Sequence, residues 1–158
     1  MSYATERDEI YTQLAATSGI GVVFKSKRFV ADWTTFLSRF KTGGVINVCW
    51  FDRVSGSERG EGVGSTDAGS EILAVQKNDN YEIELYYGFK DDDTTPSSYA
   101  FQALVDAIET KFRFLQNLNS VTERSYPLQR TASGLFMFSD VLCHRAAWTL
   151  EIRNRIIN

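Results

Sequence analysis

The residue pair best suited to nucleophilic chemistry is Cys143 with His144, a thiol beside an imidazole. A thiolate nucleophile needs a base within hydrogen-bonding distance, but adjacent residues of a strand point to opposite faces. The chain has a single histidine, so a serine triad would also have to use His144, and no GxSxG elbow presents a serine. The sequence therefore contains no readable catalytic site, and we expect a protein that is not an enzyme.

The sequence signals for a phosphate site or a metal site are as weak as those for a catalytic site. Residues 60–64 (GEGVG) have glycine spacing like that of a phosphate loop, but polar, serine-rich residues follow them instead of a helix. Residues 91–93 are three consecutive aspartates, and consecutive carboxylates on an extended chain point apart. Cys49 and Cys143 lack the CxxC spacing of zinc sites. We therefore predict no cofactor and no metal.

Three basic residues lie between two aromatic residues, Phe24 and Phe29, a mixture that suits a phosphate backbone or an acidic partner. The cations are Lys25, Lys27 and Arg28. The formal net charge of the chain is −3, and three cations supply only a small part of the electrostatic attraction that DNA binding needs. We expect these residues to contact a protein partner or solvent.

The periodicity of apolar residues predicts the secondary structure. The predicted helices cover 3–17, 30–41 and 98–116. The predicted strands cover 45–54, 71–77, 80–89 and 140–153, with a turn at Asn78-Asp79 and a connector at 117–133. This order predicts a single domain, 1–158, of the α+β class, with a mainly antiparallel four-stranded sheet and the helices packed on one face.

Three segments are not explained by such a core. Residues 55–70 contain five of the eleven glycines and predict a long flexible loop, 91–93 form an acidic loop, and 153–158 a C-terminal tail. Segments of this kind commonly become ordered against a partner. The predicted interface residues are Lys25, Lys27, Arg28, Glu58, Arg59, Glu61, Arg153, Arg155, Ile156 and Ile157.

The sequence also predicts where the protein is found. The first residues are charged and polar where a signal peptide would be apolar, and no apolar run approaches the ~18 residues of a membrane span. The low cysteine content fits a reducing cytoplasm.

Two stretches of the sequence carry a family resemblance. They are 19–41 (GIGVVFKSKRFVADWTTFLSRFK) and 141–152 (VLCHRAAWTLEI), separated by a strand bearing Trp50 and a long amphipathic helix. This order resembles the neck and tail-terminator, or tail-completion, proteins of tailed bacteriophages. The resemblance implies a compact α+β subunit of a six-membered homohexameric ring, which caps the tail tube and joins it to the head connector.

The resemblance implies partners but no catalytic residue. The partners are further copies of the chain, the tail tube protein and the connector protein, in a virion assembled in the host cytoplasm, with no membrane. The positions that match are Lys25, Lys27, Arg28 and Phe29 before the helix at Asp32-Trp33, and Leu142-Cys143-His144; the 55–70 segment is longer than in the family. DNA passes through such a ring without sequence-specific binding, and Asp91, Asp92 and Asp93, placed in the channel, would repel its phosphates.

Two other functions stay open at this point. One is a small adaptor domain whose sheet or groove holds a peptide or another protein. The other is an enzyme with a thiol centre at Cys49 or Cys143.

Overall fold

Three helices and seven strands make up the described parts of the chain, which in this computed structural model are residues 3–28, 33–65, 71–91, 94–138 and 140–157. The helices are α1 (Tyr3–Ala15), α2 (Trp33–Phe40) and α3 (Ser97–Arg113). The strands are β1 (Val22–Phe24), β2 (Lys41–Thr42), β3 (Val45–Ser65), β4 (Glu71–Gly88), β5 (Arg124–Ser125), β6 (Gln129–Phe138) and β7 (Val141–Ile157). The α+β class is confirmed, and all three predicted helices are present, although 30–32 lie outside the described residues.

The central strand of the sheet is β4, which is antiparallel to β3 on one side and to β7 on the other along almost its whole length. A parallel β1 and a short β2 pair with β3, and β5 and β6 both pair with the far side of β7. The mainly antiparallel sheet is confirmed, but it has seven strands instead of the predicted four. Three of them are two or three residues long, too short to show an alternating pattern, and β6 lies partly in the predicted connector.

Both faces of the sheet are apolar, so both need a cover. Cys49 and Phe51 of β3 face α1 and α3 in the larger buried cluster. Val48 and Trp50 face the other way, where Phe40 at the end of α2 completes a second cluster with Tyr86, Phe138 and Cys143. The expectation that all helices pack on one face is therefore wrong for α2, because alternate residues of a strand covered on both sides are apolar in both directions.

Continuous strands replace the predicted loop and the predicted hairpin turn. Residues 55–65 of the expected loop 55–70 are the second half of β3, and 66–70 lie outside the described residues. Asn78 and Asp79 do not form a turn, since Asn78 pairs with both β3 and β7 in the middle of β4. Backbone pairing on both sides satisfies the polar groups of these residues, which outweighs their preference for turns.

The predicted C-terminal tail is also strand. β7 continues to Ile157, and its last residues pair with β4 from Arg153 opposite Asn78 to Ile157 opposite Ala74. The predicted strand 140–153 ended too early because the following residues, Arg-Asn-Arg, are polar. Their backbone groups nonetheless extend the same ladder.

A buried carboxylate connects four parts of the sheet on the α2 side. Glu84 of β4 accepts hydrogen bonds from Trp50 Nε1 (2.7 Å) and from Arg145 Nη2 (2.5 Å), and Lys27 Nζ lies 2.9 Å away. Burial alone would raise the pKa of Glu84, but the hydrogen bonds from Trp50, Arg145 and Lys27 outweigh it and lower the pKa to about 2. The carboxylate thus joins the segment after β1 to β3, β4 and β7.

We predict that Glu84→Gln lowers the free energy of unfolding by about 3 kcal/mol at neutral pH, because the pKa difference represents that much differential stabilisation. The contribution is present above the ordinary pKa of 4.5 and is lost as the pH falls toward about 2. Urea denaturation between pH 7 and 3 measures it, with the exposed Glu151→Gln as the control. A Glu84→Gln curve parallel to that of the unmodified chain would contradict the assignment.

Candidate assembly surfaces

One long three-stranded extension of the sheet, called the arm here, consists of residues 53–65 of β3, 71–80 of β4 and 151–157 of β7. At about 3.3 Å per residue the thirteen residues of β3 span roughly 40 Å. The side chains from Arg53 to Gly60 are all exposed. Since β1 pairs only with Val48, Cys49 and Trp50, no described strand covers the outer edge of β3 in the arm.

Buried charges fix the arm to α1 at its base. Glu6 of α1 is fully buried; it accepts hydrogen bonds from Tyr81 (2.9 Å) and Asn154 (2.5 Å), and Lys77 Nζ lies 3.5 Å from it. Lys77 also lies 2.5 Å from a carboxylate oxygen of Asp79, which is 1% exposed. These contacts reach β4 and β7 from one helix.

A second cation completes this base cluster, which is defined as Glu6, Arg53, Lys77, Asp79 and Asn154. Arg53 Nη2 lies 2.6 Å from Asp79, so two carboxylates are balanced by two cations. Both oxygens of Asp79 are held by charge at short distance and not by well-aligned hydrogen bonds. A Cβ on Gly56 would lie 1.8 Å from Arg53 Nη2 and 2.5 Å from Asp79 Oδ1, so a larger residue here would displace the guanidinium from its position beside Asp79.

An apolar patch lies at the other end of the long strands. Its members, Phe89, Leu135, Met137 and Leu142, are exposed by 39, 57, 55 and 38%. Met137 pairs with Leu142, and Leu135 pairs with His144, whose ring stacks on Phe101 of α3 at 5.0 Å. Residues directly opposite in a sheet share a face, so the patch lies on the α3 side. Exposed apolar side chains grouped in this way mark interaction sites.

The arm and the apolar patch are separated by the length of β4. The arm contains Ala74, whereas Gly88 is followed directly by Phe89, whose backbone N–H donates to Leu142 (2.9 Å). Fourteen residues of strand correspond to roughly 45 Å. One subunit therefore presents two chemically different surfaces at opposite ends.

The arm brings together seven of the residues predicted as an interface. Those residues are Glu58, Arg59, Glu61, Arg153, Arg155, Ile156 and Ile157. Glu58 and Arg59 are exposed on β3, whereas Arg153 Nη2 donates to Gln76 Oε1 (2.7 Å) on β4. The predicted loop and the predicted tail are thus outer strands of one arm on either side of β4. Their role as an interface stays a prediction.

The predicted basic residues near β1 lie elsewhere and contact their own chain. Lys25 forms an ion pair with Asp8 and lies 5.0 Å from the ring centre of Tyr11. Lys27 pairs with Glu84, and the guanidinium of Arg28 lies 5.9 Å from the ring of Phe24. Phe29 and Asp32, and the side chain of Trp33, lie outside the described residues.

The acidic loop is described only in part. Asp91 is exposed three residues after the end of β4, and Asp92 and Asp93 fall outside the described ranges. The channel position of these carboxylates is a prediction that depends on the assembly.

The two cysteines are buried on opposite faces of the sheet. Burial raises the pKa of the Cys143 thiol to about 11, and burial together with the charge of Glu84 raises that of Cys49 further. Both thiols are therefore protonated at neutral pH, a state that does not favour nucleophilic attack. His144 faces α3 and Cys143 faces Trp50, which confirms that this pair forms no dyad.

The structure does pair the single histidine with a serine. Ser97 Oγ lies 2.9 Å from His144 Nε2, but it also accepts a hydrogen bond from the backbone N–H of Lys90 (2.8 Å). The histidine ring is sandwiched between Phe89 and Phe101, and burial lowers its pKa. Among the described residues no carboxylate is hydrogen-bonded to this ring. The pair joins the loop before α3 to β7.

Two features are absent from the described residues, a grouped metal site and a membrane-spanning helix. In these parts of the chain no three His, Cys, Asp or Glu side chains are grouped as a metal site. None of the described helices has the length and apolar character needed to cross a membrane.

No protein-family model matches the sequence, and no curated protein matches it either.

Two features of these surfaces were not predicted from the sequence. The apolar run 135–138 (LFMF) signals β6 and half of the patch, but its place between polar segments hides its pairing with β7. The base cluster leaves no local signal, since Glu6, Lys77 and Asn154 are far apart in sequence and meet only in the folded chain.

We predict that Glu6→Gln destabilises the protein by roughly 3 kcal/mol, because it removes the buried charge that faces Lys77 and leaves Asp79 as the one carboxylate of the cluster for both Lys77 and Arg53. The attachment of the arm to α1 weakens with it. Urea denaturation measures the first effect, and the rate of tryptic cleavage at Arg59 measures the second.

Glu9→Gln is the matched control, because Glu9 lies on the same helix and hydrogen-bonds only Gln13 among the described residues. It should change stability by less than about 0.5 kcal/mol. Equal stabilities for the two variants, or unchanged cleavage at Arg59 in Glu6→Gln, would show that the cluster does not hold the arm.

Proposed function

We propose that this protein is a structural subunit that assembles head to tail into a closed ring, as a tail-terminator-like component of a phage neck or tail. The ring is proposed to be a homohexamer that caps the tail tube and joins it to the head connector. The observation that carries the proposal is the presence of two unlike surfaces, the arm and the apolar patch, at opposite ends of the same strands.

Cyclic assembly requires this kind of asymmetry. A heterologous contact joins one surface of a subunit to a different surface of its neighbour, and repetition closes a ring when the rotation permits. Isologous dimers, in contrast, need only one self-complementary surface. A chain with an open strand edge at one end and an apolar patch at the other meets the requirement for a heterologous contact.

The two surfaces offer different kinds of stabilisation. The outer edge of β3 presents backbone donors and acceptors over residues 51–65, and such an edge pairs readily with another chain. Glu58 and Arg59 on that strand discourage indiscriminate pairing, since charged edge residues limit aggregation. The apolar patch supplies area that a neighbour removes from water.

The acidic loop is proposed to face the ring channel. Asp91 is exposed, and the run of three aspartates would repel DNA phosphates and let the genome pass without sequence-specific binding. The proposed partners are further copies of the chain, the tail tube protein and the connector protein, with localisation in the virion.

A second candidate function is a peptide-binding adaptor. The uncovered edge of β3 favours it, because an extended peptide adds to such an edge by main-chain hydrogen bonds. In that case the arm of one chain binds one peptide, and no ring forms.

We predict that the double substitution Leu135→Asp and Met137→Asp abolishes ring formation and leaves the monomer folded, because both side chains are exposed and the change only charges the patch. Sedimentation equilibrium at rising concentration and electron microscopy of the purified chain measure assembly. Circular dichroism checks the fold.

The matched control is Thr110→Asp, an exposed position of α3 outside both surfaces, which should assemble like the unmodified chain. Rings that persist in the double variant would contradict the proposal. A chain that stays monomeric throughout and binds one extended peptide per molecule would favour the adaptor.

A further inference from the structure

A polar cleft of about 410 Å³ opens where α3 ends, away from the apolar patch. Its lining includes Arg113, Gln116 and Asn117, at the end of α3 and just beyond it. Arg124 and Tyr126, in and after β5, line the same cleft. Neither surface considered so far includes this cleft.

The guanidinium of Arg113 is available in the cleft. Its helical neighbour four residues earlier, Glu109, would be the usual partner, but Glu109 Oε1 is already bonded to Trp148 Nε1 (2.8 Å) and to Arg130 Nη2 (2.7 Å). Arg113 forms no ion pair or hydrogen bond with any described residue, and it is exposed.

The second arginine is held in place without its charge being neutralised. The guanidinium carbon of Arg124 lies 4.9 Å from the ring centre of Tyr126, and the Tyr126 backbone donates to Glu151 of β7 (2.9 Å). Stacking on an aromatic ring occupies the face of a guanidinium and leaves its N–H edge free to donate. Arg124 makes no ion pair with the described residues.

A strained turn follows Asn117 in the lining of the cleft. The three consecutive residues Leu118, Asn119 and Ser120 have φ values of 40, 56 and 67°, which cost non-glycine residues roughly 1 kcal/mol or more each. Leu118 is fully buried, and the Ser125 backbone N–H donates to the backbone carbonyl of Gln116 (2.6 Å). The segments on either side of the turn are therefore joined, and strain of this kind concentrates at functional sites.

We propose that the cleft binds an oxyanion, a carboxylate or a phosphate, between Arg113 and Arg124. Two guanidinium groups that line one cleft can donate to separate oxygens of one such group, and charged hydrogen bonds from arginine to an oxyanion are stronger than neutral ones. Glu123 at the rim is the one acidic residue of the lining and opposes binding. The oxyanion has two possible sources, a free ion or the acidic side chains of another polypeptide.

Titration of the ¹⁵N-labelled full-length chain followed by NMR tests the proposal. The probes are inorganic phosphate and acetyl-Asp-Asp-Asp-amide, each against sodium chloride at equal ionic strength. We expect saturable shifts of the Nε–H signals of Arg113 and Arg124 and of the amides of 116–126. Binding of phosphate identifies a free ion as the source, and binding of the peptide alone identifies a polypeptide partner.

Charge substitutions in the cleft should change the affinity for the oxyanion in opposite directions. Arg113→Gln and Arg124→Gln should each weaken binding about tenfold or more, since each removes charged hydrogen bonds, and Glu123→Gln should tighten it. Arg39→Gln is the matched control, because it removes an exposed arginine of α2 far from the cleft lining. No saturable shift beyond the chloride control, or equal affinities for Arg113→Gln and Arg39→Gln, would overturn the proposal.

Discussion

The contacts of one fully buried carboxylate, that of Glu6, connect the core to the arm. Its bonds to Tyr81 and Asn154 and its charge opposite Lys77 join α1 to two strands of the arm. Burying the charges of Glu6, Lys77 and Asp79 is costly unless each is compensated, and the exposed Arg53 completes that compensation at Asp79. The direction in which the arm leaves the core therefore depends on this cluster.

From that point outward, the arm depends on pairing more than on burial. β4 has a neighbour on both sides along the arm, so its backbone groups are satisfied even though Glu58, Arg59 and the glycines of β3 bury little apolar area. An extension stabilised in this way leaves its outer edge unsatisfied, which is the property that suits it to contact another chain. The apolar patch at the opposite end provides the unlike surface that a ring requires.

The sequence predicted the elements whose periodicity reflects the core. The apolar stripe of α3, from Phe101 to Phe112, arises from burial and appears as expected. Around Trp50, however, alternate residues of β3 are buried in both directions, and Val54 is exposed. The arm was mistaken for a loop because glycine and serine at 55–65 have the composition of a linker, and only pairing with β4 makes them a strand. Turn propensity at Asn78-Asp79 was overridden for the same reason.

Seven of the predicted interface residues lie together in the arm, and their role as an interface stays a prediction. Their union in one arm follows from strand register, which a sequence does not reveal. The base cluster and the arginine cleft both join residues distant in sequence, and the cleft depends on Arg113 lacking a partner because Glu109 is taken by Arg130 and Trp148. Such competition for partners is visible only in three dimensions.

Hydrogen–deuterium exchange of the isolated and the assembled chain tests whether the arm is a preformed sheet whose outer edge is completed by a neighbour. We expect slow exchange at residues 74–80 of β4 in both states, because β3 and β7 pair with them. We also expect alternate amides of 51–65 in β3 to exchange fast in the isolated chain and slowly in the assembly. Exchange of 74–80 at the rate of an unfolded peptide, or fast exchange along 51–65 in both states, would contradict this arrangement.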